Sequence, residues 1–204
     1  ALWGADVPGA GFAVRTIRLP RVIAGLFAGF AFGAAGHTFQ TLLRNPLANP
    51  NVLGITAGSS AAAVFCIIVL HAGRTAVFAA ATAAGLAAAL LIYALSRGSQ
   101  GGTFGIGRLI LVGIGLQAML DAAISYMLLI GRQHDIPAAL RWLSGSLNGV
   151  QMHDLPPLVC TVLVFAPLVA ALGKHLGMLE LGDPAAASLG VRTDAARAAL
   201  ILCA

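Results

Sequence analysis

Charge is scarce in this chain. Asp, Glu, Lys and Arg make up 9% of its 204 residues, while 59% are hydrophobic. A water-soluble domain carries roughly a quarter charged residues, so this composition cannot clothe a soluble surface. Cysteine is sparser still. Cys66, Cys160 and Cys203 each sit inside an apolar block, with no C-x-x-C and no Cys/His spacing that suits a metal. They read as small buried residues. His71, His134, His153 and His175 lie in loops without a shared ligand spacing, so no metal site and no cofactor is expected. The phosphate-cradling pattern G-x-x-x-x-G-K-[ST] is missing, as are a nucleophile elbow and a redox motif. The chain is therefore expected not to hydrolyse ATP itself and not to be an enzyme. Basic clusters are missing too. The net charge is +5, but the twelve Lys and Arg residues are scattered at the ends of apolar blocks, which argues against nucleic-acid binding. No initiator methionine, basic n-region or cleavage-type leader opens the chain, and Ala195 to Ala204 is apolar. A piece of a longer protein, cut at both ends, is expected.

What is present is a series of apolar runs, several near the ~20 residues that cross a bilayer as a helix. The expected class is an all-α polytopic membrane protein, a bundle of transmembrane helices in a single domain over residues 1–204. Residues 1–20 read as a surface lead-in, with Arg15, Arg18 and Arg21 at three-residue spacing. Membrane spans are expected over 21–43, 52–70, 76–95, 107–130 and 155–172, with a polar loop over 174–194 and a further span starting at 195–204. Two prolines and three asparagines between Arg44 and Asn51 end the first span and delay the second. Gly54 and Gly58 predict irregular first turns in the second span. Gly25, Gly29 and Gly33, with Gly36 beyond, put a small-residue stripe on one face of the first, and we expect it to pack inside the bundle. His37 on that span reads as a packed core histidine. Residues 131–153 form a polar connection, with a short helix from Pro137 to Leu143 and Trp142 as an interface anchor.

Positive charge does not orient the bundle. Arg15, Arg18, Arg21, Arg74, Arg132 and Arg141 fall on one side, and Arg44, Arg97, Arg108, Lys174, Arg192 and Arg197 on the other. That is six against six. Within the fourth span, Gly113, Gln117, Asp121 and Ser125 recur at steps of four and form a polar stripe. A mid-membrane carboxylate costs at least ~2.5–3.5 kcal/mol on insertion scales, so an intramembrane Asp121 is a functional candidate. It lines either a conduit or a buried hydrogen bond between helices.

The stretch RLPRVIAGLFAGFAFGAAGHTFQTLLRNPLANPNVLGITAGSS resembles the FecCD-type permeases of iron–siderophore and vitamin B12 ABC importers. The resemblance rests on the RLPR lead-in, Gln40 and the NPLA-x-P-x-x-LG opening of the next span. It continues in GRLILVGIG from Gly107, RWLSGSLNG from Arg141, and LELGDPAAASLGV from Leu179, in order along nearly the whole chain. It implies that the chain holds the second to sixth helices of such a subunit and the start of the seventh. It also fixes orientation, with residues 1–20 and 131–153 toward the periplasm and the loops at 44–51, 96–107 and 174–196 toward the cytoplasm. Arg18 and Arg21 would then meet glutamates of a periplasmic substrate-binding protein. Leu181, Gly182, Asp183, Ala185, Ala186, Leu189 and Gly190 would form the segment that couples to an ABC ATPase subunit dimer. The corresponding helix of the family lines the translocation path, and on their spacing Gln117, Asp121 and Ser125 are expected to face that conduit or its gate. A second permease subunit, identical or homologous, and the lipid bilayer complete the implied partners, with no nucleic acid. The GSLNG and LELGD patterns resemble siderophore branches more than the vitamin B12 branch, and haem is a further alternative. From other classes come an ion-coupled secondary transporter using Asp121 and a membrane scaffold. Neither would have an ATPase partner.

Overall fold

Prolines and residues in the left-handed region cut the apolar runs into rods. The computed structural model describes residues 10–48, 51, 54–96, 105–180, 183–190 and 193–203. It is helical, without a strand among the described residues. In chain order the α-helices are α1 (Ala10–Phe12), α2 (Leu19–Leu42), α3 (Ile55–Ile68), α4 (Arg74–Ser96), α5 (Ile106–Ile130), α6 (Ile136–Ser144), α7 (Leu155–Glu180), α8 (Asp183–Ser188) and α9 (Thr193–Cys203). A π-helical turn, Ala13–Arg18, joins α1 to α2. Pro20 accounts for it: proline offers no N–H and its ring clashes with the carbonyl four residues back, so the ladder widens there.

Among the described residues, four helices are long and apolar enough to cross a membrane: Ala13–Leu42, Arg74–Ser96, Ile106–Ile130 and Met152–Lys174, with mean hydropathy 1.5, 2.1, 1.7 and 2.3. α3 is shorter, at 14 residues. It starts behind Gly54 in the left-handed region (φ 75) and stops ahead of His71, also left-handed (φ 46). At 1.5 Å per residue it reaches only ~21 Å of a ~30 Å hydrocarbon core. Beyond Gly54 it is regular, and Gly58 marks a close approach to α4. A Cβ there would lie 2.7 Å from Ala88 Cβ and 3.2 Å from the Ala84 carbonyl oxygen.

α7 runs eight residues past the expected end at Leu172, to Glu180. Lys174 and His175 suggested a polar connection. Instead Leu176 and Leu179 are buried and keep the helix going into the main core. That core lies at the end of the bundle where α8 sits. It joins Phe39, Leu42 and Leu43 of the α2 end to Ile92 of α4, Leu109 of α5, Ala186 of α8 and Leu200 of α9. Two smaller clusters hold the opposite end: Ala63, Cys66, Val77 and Ala81 between α3 and α4, and Val64, Ile68, Ile124 and Ala139 beneath α6.

The glycine stripe of α2 is packed only in part. A Cβ on Gly25 would meet Leu147 Cδ1 at 3.3 Å, whereas Gly29, Gly33 and Gly36 have no neighbour within 4 Å. His37 is exposed rather than packed.

Candidate functional site

The end bearing α6 carries a group of paired polar side chains. Arg15 and Arg18 are exposed on the π-helical turn. Arg21 is half-buried, and its Nη2 donates to Asn148 Oδ1 at 2.7 Å. The connection after α6 therefore lies on the start of α2, and Leu147 touches the Gly25 position beside it. The two arginines of RLPR are thus not equivalent: Arg18 faces solvent, while Arg21 is fastened. At the start of α4, Arg74 Nη2 lies 3.0 Å from Asp154 Oδ2, and its guanidinium carbon stands 5.7 Å from the centre of the Phe78 ring. Phe78 meets Trp142 edge to face with 5.0 Å between centroids, so Trp142 packs on α4. Asp135, just before α6, is flanked by His71 Nδ1 at 3.3 Å and His134 Nε2 at 3.4 Å. Asp154 accepts from the Gln151 backbone N–H at 3.0 Å within a capping box, and His153 Nε2 approaches it at 3.4 Å. Of these groups, His71, Arg74, Phe78, Asp135, Trp142 and Asn148 line a recess of about 770 Å³ between the α3–α4 turn, α6 and the Gly145–Val150 connection.

The polar stripe of α5 is spread over several environments. Gly113 is buried against the start of α3: its carbonyl oxygen lies 3.0 Å from where a Cβ on Gly54 would be. Gln117 is half-buried, and Asp121 and Ser125 are exposed. Four residues overshoot a full turn of 3.6 residues by about 40°, so three steps rotate the stripe by about 120°. Ser125 Oγ donates to the Asp121 carbonyl oxygen at 2.9 Å, which satisfies the hydroxyl within its own helix.

At the opposite end, α8 forms a compact shelf between α7 and α9. Leu181 and Gly182 lie outside the described residues, and of Asp183 only the backbone is described. Ala185 is half-buried and Ala186 is fully buried in the main core, whereas Leu189 is 59% exposed. The helix closes through Leu189 N–H to the Ala185 carbonyl (3.1 Å) and Gly190 N–H to the Ala187 carbonyl (3.0 Å). Gly190 takes φ 82, the left-handed turn that glycine adopts without strain. Arg44, itself at φ 51, donates Nε and Nη2 to the Leu179 carbonyl oxygen at 3.0 and 2.7 Å. That bond ties the end of α2 to the end of α7 and uses a terminal helix carbonyl. Arg197, counted above with the loop cations, is buried to 1% exposure.

Sequence reasoning did not single out Asn148, Asp154 or the bond from Arg44. Asn148 pairs with a residue 127 positions away, and a lone asparagine between glycine, serine and leucine gives no warning of that. The Gln151/Asp154 capping spacing was the one local signal available.

The family model of the FecCD transport family matches residues 2–204. The chain is 37% identical over 204 residues to the achromobactin transport system permease protein CbrC of Dickeya dadantii (strain 3937), covering 99% of this chain and 58% of that one. It is 31% identical over 188 residues to the cobalamin import system permease protein BtuC of Halobacterium salinarum, covering 92% of this chain and 50% of that one. A solved structure described as an inward-facing conformation of a metal-chelate type ABC transporter superposes with a TM-score of 0.88 at 25% identity. It covers 98% of this chain and 63% of that one. The chain thus spans between half and two thirds of the length of these relatives.

Proposed function

The chain belongs to the FecCD transport family, and from that premise we propose that it supplies the transmembrane permease of a binding-protein-dependent ABC importer, one that carries a ferric siderophore across the bacterial inner membrane. The observation that carries this reading is the match along the whole chain to a family whose achromobactin permease shares 37% of its residues. The protein is a multi-pass membrane protein. In the orientation that the family implies, α6 and the recess face the periplasm and α8 faces the cytoplasm. A substrate-binding protein delivers the ligand to the first face. An ATPase dimer drives the second, because the chain has no phosphate-binding loop of its own.

Each end suits its role physically. Exposed guanidinium groups such as Arg18 attract carboxylates and steer a charged partner's approach. Arg21, fastened to Asn148, contributes positive field more than a free contact. Ala185, Ala186, Leu189 and Gly190 build the coupling shelf, together with Leu181, Gly182 and Asp183 in the same motif: it is anchored by one buried alanine and capped by an exposed leucine. Gln117, Asp121 and Ser125 run along the α5 surface that would border the path, with Asp121 as its one charge. A second permease subunit, identical or related, would close the conduit.

The test is uptake of radioactive iron by iron-starved cells that lack the full-length gene, with and without complementation, over a panel of ferric siderophores and with labelled cobalamin in parallel. Loss of one siderophore class, restored by the gene, is the expected result. Loss of cobalamin uptake instead would keep the importer and replace the cargo. Unchanged uptake of both, in cells without a redundant importer, would remove the importer reading.

A further inference from the structure

The α6 end carries six arginines at Arg15, Arg18, Arg21, Arg74, Arg132 and Arg141, against two described carboxylates, Asp135 and Asp154. Asp154 is held by Arg74, with His153 beside it, and Asp135 lies between His71 and His134. Arg21 is committed to Asn148. Arg141 is exposed and makes no ion pair among the described residues, and the same holds for Arg18. Arg141 lines the 770 Å³ recess together with Asn148 and Gly149 of the connection, and Asn148 binds the turn-adjacent Arg21, one helical turn beyond Arg18. The Arg21–Asn148 bond therefore sets the connection that lines the recess one helical turn from Arg18, with Arg141 on the wall of the recess itself.

We infer that Arg141 is a further docking residue of this face: its guanidinium, at the edge of the recess, receives an Asp or Glu side chain from an inserted loop of the periplasmic protein partner, while Arg21 acts as the strut that holds the Asn148 connection in place. This rests on the docking role proposed above for Arg18. The charge state makes a carboxylate the fitting occupant, since a planar guanidinium binds it through two parallel hydrogen bonds. A recess of this size admits a loop rather than a single ion. Its rim of exposed Ser146, Asn148 and Gly149 offers polar groups for a protein backbone. Its floor, the Phe78–Trp142 pair, supplies the apolar patch that anchors such contacts.

The experiment uses the full-length permease with its ATPase in nanodiscs, and as probe the purified substrate-binding protein of the same importer, with Kd measured at low and high salt. Arg141→Glu is expected to weaken binding about tenfold and to flatten the salt dependence, and a Glu→Lys or Asp→Lys change at the matching position of the partner should restore it. Arg141→Lys should retain part of the affinity. Because Arg141 is exposed, the variants should elute and co-purify with the ATPase as the parent does. Asn148→Ala should raise amide exchange in residues 145–149. If Arg18→Glu abolishes binding while Arg141→Glu stays within about twofold of the parent, Arg141 is outside the interface and this inference fails alone. If Arg141→Glu lowers co-purified anionic phospholipid and leaves partner binding intact, the recess is a lipid site and the inference is overturned. If the parent binds no probe at all, the docking reading falls, and this inference with it.

Discussion

Asp121 stands midway along α5, on a face that no described residue covers. A bare carboxylate in hydrocarbon costs ~2.5–3.5 kcal/mol on insertion scales, so in the assembled protein it must meet water, a cation or a donor. Its neighbour one turn on does not help: Ser125 turns its hydroxyl back to the Asp121 carbonyl. If the carboxylate borders a wet conduit, Asp121→Leu lowers siderophore uptake severalfold while the amount of permease in the membrane holds steady. Uptake and expression both unchanged would sink the conduit role. Loss of expression alone would make Asp121 a bonding residue between helices. At this scale the sequence shows which residues are chemically unusual but not what they touch. Arg18 and Arg21 look alike in RLPR, and only the fold separates them, through a bond to Asn148 that spans 127 positions. Arg197 looks like a loop cation and is buried, because burial depends on helices remote in sequence.

α3 and α4 form the most extensive helix pair, and the contact is built from small residues. Gly58 faces Ala84 and Ala88, and Gly85 faces Ser59. Backbones that approach so closely gain dispersion and leave no room for a branched side chain. Gly58→Val is therefore expected to destabilise the permease by about 1–3 kcal/mol through overpacking, seen as a lower melting temperature in detergent. A melting point equal to the parent's would mean that the helices separate readily. Gly29→Ala, which meets nothing within 4 Å in this chain, is the internal control. Helices were legible where hydrophobic length alone decides: α4 and α5 begin and end close to their apolar runs. Where tertiary packing decides, they were not. α7 carries Lys174 and three glycine or histidine positions past its apolar stretch, yet stays helical because Leu176 and Leu179 find the main core. α3 is cut short by left-handed residues at both ends, and the one at His71 carries no glycine signal.

At the scale of the whole molecule the two ends share a helix. The main core draws on α2, α4, α5, α7, α8 and α9, and of these α4 also lines the recess at the other end through Arg74, Val77 and Phe78. Ala186 is the point of contact between α8 and that core, at 0% exposure, and Leu189 is the exposed tip at 59%. The two residues should therefore fail differently. Ala186→Leu adds volume where none exists and should lower the permease's own melting temperature, by the ~1–3 kcal/mol typical of overpacked cores. Leu189→Asp leaves the core untouched and replaces an apolar tip by a charge that a protein cleft would have to desolvate. The permease should then melt as the parent does but recover about tenfold less ATPase subunit on co-purification, and transport should fall in proportion. Retention of ATPase by Leu189→Asp at the parent level would mean that α8 is an internal brace and that the drive enters elsewhere. Loss of stability in Leu189→Asp would show that the tip is covered by the permease itself. Only the expected pair of outcomes makes α8 what its packing suggests: a lever seated in the core by a methyl group and grasped from outside by a leucine.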